Sequence, residues 1–111
     1  MEIKTDITGN IDIISIIGRV EMINIEMLRE KIFTLIENSE SGVLIDLKDL
    51  EYINSAGLGI LIRIAKVMET RKRPLVFSSL KENIFEIFKI AGFTNILTIF
   101  PTQEEAEKFL N

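Results

Sequence analysis

Short β-branched runs alternate with segments of helical period along this chain, and that alternation constrains its fold more than any other feature. From Ile3 to Ile7 apolar and polar residues alternate, and Ile11 to Ile17 is a β-branched run lying across Gly9-Asn10, a hairpin dipeptide. Asn24 is placed to cap a helix whose inner face carries Ile25, Leu28, Ile32, Leu35 and Ile36, and Ser39-Glu-Ser-Gly42 ends it. Val43 to Leu47 reads as a strand covered on both faces; a helix over Ala56 to Arg71 follows, with Pro74 marking its end. Leu75 to Ser78 is a further strand. Ser79-Leu-Lys-Glu82 has capping-box spacing ahead of Ile84, Ile87, Phe88 and Ala91, and Gly92 stands as a helix stop. Ile96 to Phe100 gives a last strand, Thr102-Gln-Glu-Glu105 a second capping box, and Ala106, Phe109 and Leu110 the inner face of a terminal helix.

The order β-β-α-β-α-β-α-β-α predicts one α/β domain over residues 1–111, with a mixed, mostly parallel sheet of about five strands and about four helices packed on it. An opening hairpin makes one pairing antiparallel, and right-handed crossovers gather the ends of the central strands on one sheet edge. Phe85, Phe88, Phe93, Phe100 and Phe109 are expected in the core, and Arg71-Lys72-Arg73 as a solvated helix end complementing the dipole.

Composition then removes most chemistry. There is no Cys and no His, so disulfides, thiolate nucleophiles, His-based triads and the commonest zinc ligands are all excluded; no cofactor or metal is expected. Thirteen Lys and Arg stand against 17 Asp and Glu, a net charge of −4 without a long basic cluster, which argues against nucleic acid as partner. The opening residues lack the apolar stretch of a signal peptide, and no window approaches the ~18 uninterrupted apolar residues of a membrane span, so a cytoplasmic protein that does not insert in membranes is expected.

The stretch Asn54-Ser-Ala-Gly-Leu-Gly59 sits where a buried strand gives way to a helix, and it places Ser55 at or near the N-cap. Free amides and the helix dipole favour negative charge there. A dinucleotide fingerprint needs Gly at 62, where Ile62 stands; a P-loop needs a Gly-Lys-Ser/Thr that is absent; a nucleophile elbow needs Gly at 53, where Ile53 stands. With no His to activate Ser55, no catalytic residue is assigned and the chain is not expected to be an enzyme.

The segment Asp46-Leu-Lys-Asp-Leu-Glu-Tyr-Ile-Asn-Ser-Ala-Gly-Leu-Gly-Ile60 resembles the signature of STAS domains, specifically bacterial anti-sigma factor antagonists, in which Asp-Ser-Ser/Thr/Ala-Gly-Leu-Gly opens a helix. Gly18-Arg-Val-Glu21 is similar to the family's Gly-x-x-Asp after its second strand, and Phe88-Lys-Ile-Ala-Gly-Phe93 to its late helix-Gly-aromatic segment. The resemblance implies that Ser55 is phosphorylated by an anti-sigma factor that is also a serine kinase. It further implies that the unphosphorylated form binds this kinase and frees a sigma factor, and that a PP2C-type phosphatase reverses the modification. The implied contact surface comprises Glu21, Met22, Asn24, Asn54, Ser55, Ala56, Gly57, Leu58 and Gly59. Two positions depart from the pattern: Asn54 replaces an Asp and Glu21 replaces an Asp. Asn keeps an acceptor but carries no charge. For both residues a loop-stabilising hydrogen bond is the competing role, and for Met22 and Ile23, which precede the first helix near the Ser55 edge, burial is the expected fate. Two other functions compete: a STAS module holding a nucleotide or other small anion at Ala56-Gly57, and a constitutive scaffold or transport accessory subunit in which Ser55 is never modified.

Overall fold

In the computed structural model, which describes residues 1–111, six strands and four α-helices follow one another. The strands are β1 (Glu2–Thr8), β2 (Ile11–Val20), β3 (Gly42–Asp46), β4 (Leu50–Ile53), β5 (Leu75–Ser78) and β6 (Ile99–Phe100). The helices are α1 (Ile25–Glu37), α2 (Ser55–Thr70), α3 (Glu82–Ile90) and α4 (Gln103–Leu110), with single 3-10 turns at Met22–Asn24 and Phe93–Asn95. The sheet order is β1-β2-β3-β5-β6; the β1-β2 hairpin is antiparallel and every other pairing parallel. The expected α/β architecture is therefore found, with one strand more than the sequence predicts.

The extra strand is β4, which pairs in parallel with Gly18–Val20. Gly18 looks like a breaker in sequence, yet β2 continues through it with φ +94° and a register shift, and its amide donates to the Asp49 carbonyl at 2.9 Å. Only glycine adopts that backbone without strain. Beyond this bulge β4 pairs with the end of β2, where β3 paired with its beginning, and so carries the chain to the residue before Ser55.

Alternate residues of the inner strands feed two layers, as a pleated strand requires. Ile14, Ile16, Val43, Ile45, Leu47 and Phe77 join the inner faces of α1, α2 and α3 in the main core. Ile11, Ile13, Leu44 and Val76 meet α4 through Ala106 on the other face. Of the five phenylalanines expected inside, Phe88 is fully buried and Phe93 and Phe100 partly so, whereas Phe85 and Phe109 are exposed at 39% and 60%. The nine-residue α3 and eight-residue α4 are too short to bury an aromatic at every apolar position.

Two further expectations fail for local reasons. Ser79 does not cap α3: its φ of +62° belongs to a turn, its amide donates to the Phe100 carbonyl, and Lys81 occupies the cap position without a side-chain bond. Ile96 and Leu97 lie outside β6 because their amides close back onto the Phe93 carbonyl. Of the second capping box the forward half forms, with the Glu105 amide donating to Thr102 Oγ1 at 3.2 Å, and Gly92 follows α3 with φ +81°.

The basic triplet divides. Arg71 pairs with Glu37, but Arg73 is only 9% exposed and reaches beneath α2 to the end of α1. Its Nε donates to the Ser41 carbonyl at 2.8 Å and its Nη1 to the Ile36 carbonyl at 2.9 Å. The cation thus complements the C-terminus of α1, a helix distant in sequence, instead of a solvated end of its own.

Candidate functional site

Asn54, not Ser55, caps α2. Asn54 has extended backbone, and its Oδ1 accepts the Gly57 amide at 2.8 Å while its carbonyl accepts the Leu58 amide at 3.0 Å. The cap falls there because the Asn54 amide is anchored to the Val20 carbonyl at 3.1 Å, which holds residue 54 extended at the end of the sheet. Ser55 becomes the first helical residue. It is exposed, and its hydroxyl makes no hydrogen bond within the protein. The Ser55 and Ala56 amides likewise donate to no protein acceptor, as first-turn amides do when the cap side chain serves only the third. The departure from Asp to Asn at this position therefore leaves the capping function intact, since both side chains accept from an amide.

Gly57 explains how the joint comes to lie so close to the sheet. A Cβ added there would stand 2.7 Å from Ile53 Cγ1 and 2.7 Å from Val20 Cγ1. Only a hydrogen lets α2 start against the ends of β2 and β4. Leu58, 8% exposed, points into the core below, whereas Ser55, Ala56 and Gly59 face outward. Two members of the predicted contact surface, Gly57 and Leu58, are consequently buried; they position that surface from beneath.

The neighbouring turn is built from β2 outward. Asn24 does not cap α1 with its side chain; its Oδ1 accepts the Glu21 amide at 2.9 Å and its Nδ2 donates to the Arg19 carbonyl at 2.9 Å, clasping the 3-10 turn. Arg19 Nε donates to Glu21 Oε1 at 3.2 Å and the guanidinium lies 4.8 Å from the centroid of the Tyr52 ring on β4. This leaves Met22 and Ile23 exposed at 75% and 93%, against the expectation of burial, and Met27 half exposed on the first turn of α1. A three-residue turn has no second face on which to hide consecutive apolar side chains. Ile23 is the residue that sequence reasoning undervalued; its signal was an apolar pair outside the helical period of α1.

One buried acid stands at the same edge of the sheet. Asp46 ends β3 at 2% exposure, and burial pushes its carboxyl pKa up from the usual 3.8 although Oδ1 accepts the Lys48 amide at 3.1 Å. Its neighbour across the β3-β5 ladder is Ser78, whose buried Oγ has no partner. The protonated form is favoured more in the folded chain than in the unfolded one. Its contribution to stability is therefore complete below the unfolded pKa and is lost as pH rises through the folded one. Asp46→Asn, which keeps the acceptor for the Lys48 amide, is expected to raise stability at pH 7 and to flatten its acid-side pH dependence in urea denaturation. A variant less stable than wild type at pH 7 would contradict that assignment of the burial cost.

Residues 2–106 match the STAS domain, and the chain belongs to that family. It is 30% identical over 106 residues to the anti-sigma-B factor antagonist of Bacillus subtilis, covering 94% of this chain and 96% of that one. Among solved structures, an anti-sigma factor antagonist from Mycobacterium paratuberculosis superposes with a TM-score of 0.90 at 16% identity, covering 98% of this chain and 92% of that one. SpoIIAA in its unphosphorylated form gives a TM-score of 0.79 at 18% identity, covering 95% and 92% of the two chains. No helix is long and apolar enough to cross a membrane.

Proposed function

We propose that this chain is a cytoplasmic anti-sigma factor antagonist whose unphosphorylated form binds an anti-sigma factor that is also a serine kinase, and that phosphorylation of Ser55 ends the binding. A PP2C-type phosphatase restores the active form. The observation that carries this reading is the Ser55 hydroxyl, exposed on the first turn of α2 and relieved of any structural duty by Asn54. The contact surface joins Ser55, Ala56 and Gly59 to Met22 and Ile23, with Glu21, Asn24 and Asn54 holding the two loops in place. Exposed apolar residues beside a modifiable hydroxyl suit a protein partner.

Phosphorylation adds about −1.5 to −2 charges. The free Ser55 and Ala56 amides and the dipole of a 16-residue helix accommodate that charge, so the fold persists. A partner fitted to a neutral hydroxyl, and already facing Glu21, does not accommodate it. A difference of ~2.7 kcal/mol in binding corresponds to about a hundredfold in affinity, enough to switch the complex.

The test incubates the protein with the anti-sigma kinases of its own genome and ATP, following intact mass and binding for wild type, Ser55→Ala and Ser55→Asp. Wild type is expected to gain one phosphoryl group, Ser55→Ala none, and Ser55→Asp to bind about a hundredfold more weakly. Absence of modification by every kinase, with equal binding by all three proteins, would sink the switch. The same free amides support a second reading, a nucleotide or other small anion held at the helix start, which a thermal shift with nucleotides would reveal.

A further inference from the structure

We infer that the β1 edge of the sheet is a self-association surface on which a second copy of this chain adds its own β1, antiparallel, about a two-fold axis through Thr5. β1 ends the sheet order and six of its seven residues are exposed. The two-residue Gly9-Asn10 turn closes with Thr8 opposite Ile11, a pair that exchanges hydrogen bonds. Alternation then turns the amides and carbonyls of Glu2, Lys4 and Asp6 toward β2 and those of Ile3, Thr5 and Ile7 outward. The Ile7 amide accordingly finds only its neighbour's side chain, Asp6 Oδ1, at 2.8 Å. A long unpaired edge of this kind is a template for another strand.

The side chains select both the occupant and the register. With the axis at Thr5, Lys4 lies opposite Asp6 of the partner subunit and Asp6 opposite Lys4 of the partner subunit, two opposite-charge pairs on one face. On the other face Ile3 lies opposite Ile7 of the partner subunit, and the reverse pair covers an Ile7 that is 73% exposed here. Beside Ile7 lies a groove of about 190 Å³ that mixes apolar Ile14, Leu35 and Val43 with polar Asp6, Asp12 and Asn38. Moving the axis to Lys4 sets Lys4 against itself and Glu2 against Asp6, which like charges disfavour. Moving it to Ile3 pairs Lys4 with Glu2 but shortens the ladder and leaves Ile7 uncovered. None of the residues of the Ser55 site lies on β1, so the surface is independent of the switch proposed above.

One strand per subunit buries less than the ~1,200–2,000 Å² of a stable interface, so the dimer is a weak one, with a dissociation constant about micromolar or higher. Sedimentation velocity on the full chain from about micromolar to about millimolar concentration tests it. Wild type is expected to pass from monomer to dimer, and Lys4→Asp and Asp6→Lys each to weaken association about tenfold. The double variant Lys4→Asp/Asp6→Lys restores both pairs and should restore the dimer; in the Ile3-centred register it would instead oppose two acids. Both positions are exposed, so the variants keep the fold. A wild type that stays monomeric throughout, a dimer indifferent to the single reversals, or a double variant that fails to recover would each overturn the proposal.

Discussion

Arg73→Leu should lower the free energy of unfolding by about 3 kcal/mol, although Arg73 belongs to the most basic triplet of the sequence and nominally to its surface. The substitution removes two charge-assisted hydrogen bonds, taking the guanidinium from the part-buried Ser41 carbonyl and leaving the Ile36 carbonyl with the Ser39 amide at 3.4 Å; bonds to a charged group are worth about 1.5–3 kcal/mol each. Relief from burying a cation offsets part of this; Nη2 is buried with no partner of its own. Arg73→Lys should recover less than half of the loss, because an ammonium lacks the planar fork that reaches two carbonyls from one position. Urea denaturation gives the magnitude, and amide exchange over residues 36–42 should show the loosening localised at the end of α1. Partner binding at Ser55 should be unchanged in the folded fraction, since α2 separates the two positions by about 24 Å at 1.5 Å per residue. A loss below about 0.5 kcal/mol would mean that the carbonyls find water as readily as they find the guanidinium.

Gly57 and Gly59, two residues apart on the same helix, should respond to alanine with opposite signs. Both gain helix propensity of about 0.8–1 kcal/mol from Gly→Ala. Nothing lies within 4 Å of a Cβ at Gly59, so Gly59→Ala should raise stability by most of that amount. At Gly57 the new methyl meets Ile53 and Val20 at 2.7 Å each, and overpacking costs about 1–3 kcal/mol, which exceeds the gain. Gly57→Ala should therefore destabilise, and Gly57→Val, which adds two more carbons without the propensity gain, by about 3 kcal/mol. The consequence reaches function: α2 must lift its first turn, carrying Ser55 away from Val20 and the Met22–Ile23 turn. Phosphorylation and partner binding should fall in Gly57→Ala even at temperatures where the variant is fully folded. Thermal melts with a kinase assay on the same samples measure both. If the two alanine variants are equally stable, the close approach of α2 to β2 and β4 is not tight enough to matter.

Much of this protein is readable along the chain because most of its elements declare themselves within a few residues. The Gly9-Asn10 turn, the apolar period of α1, the Thr102 cap and the stop at Gly92 are local, and each is found where the sequence puts it. The segment that carries Ser55 is likewise visible, since strand, polar joint and apolar helix follow one another without interruption. What the chain could not announce depends on partners far away in sequence. β4 is a strand only because β2 bends at Gly18 to meet it. Asn54 outranks Ser55 as cap because Val20, 34 positions earlier, fixes its amide. Arg73 leaves the solvent for the Ile36 carbonyl at the end of α1 and the Ser41 carbonyl in the loop beyond it, which tertiary packing alone brings within reach.

By itself, then, the amino-acid order determined most of the element types, the α/β class and the place of the Ser55 hydroxyl near the start of α2, all of which rest on short-range periodicity and turn chemistry. Tertiary structure decided which side chain caps α2, which glycine must be a glycine, that Met22 and Ile23 face solvent, and that β1 offers a free edge. Those outcomes are fixed by hydrogen bonds and contacts between residues tens of positions apart, whose energies exceed the local preferences that the sequence expresses.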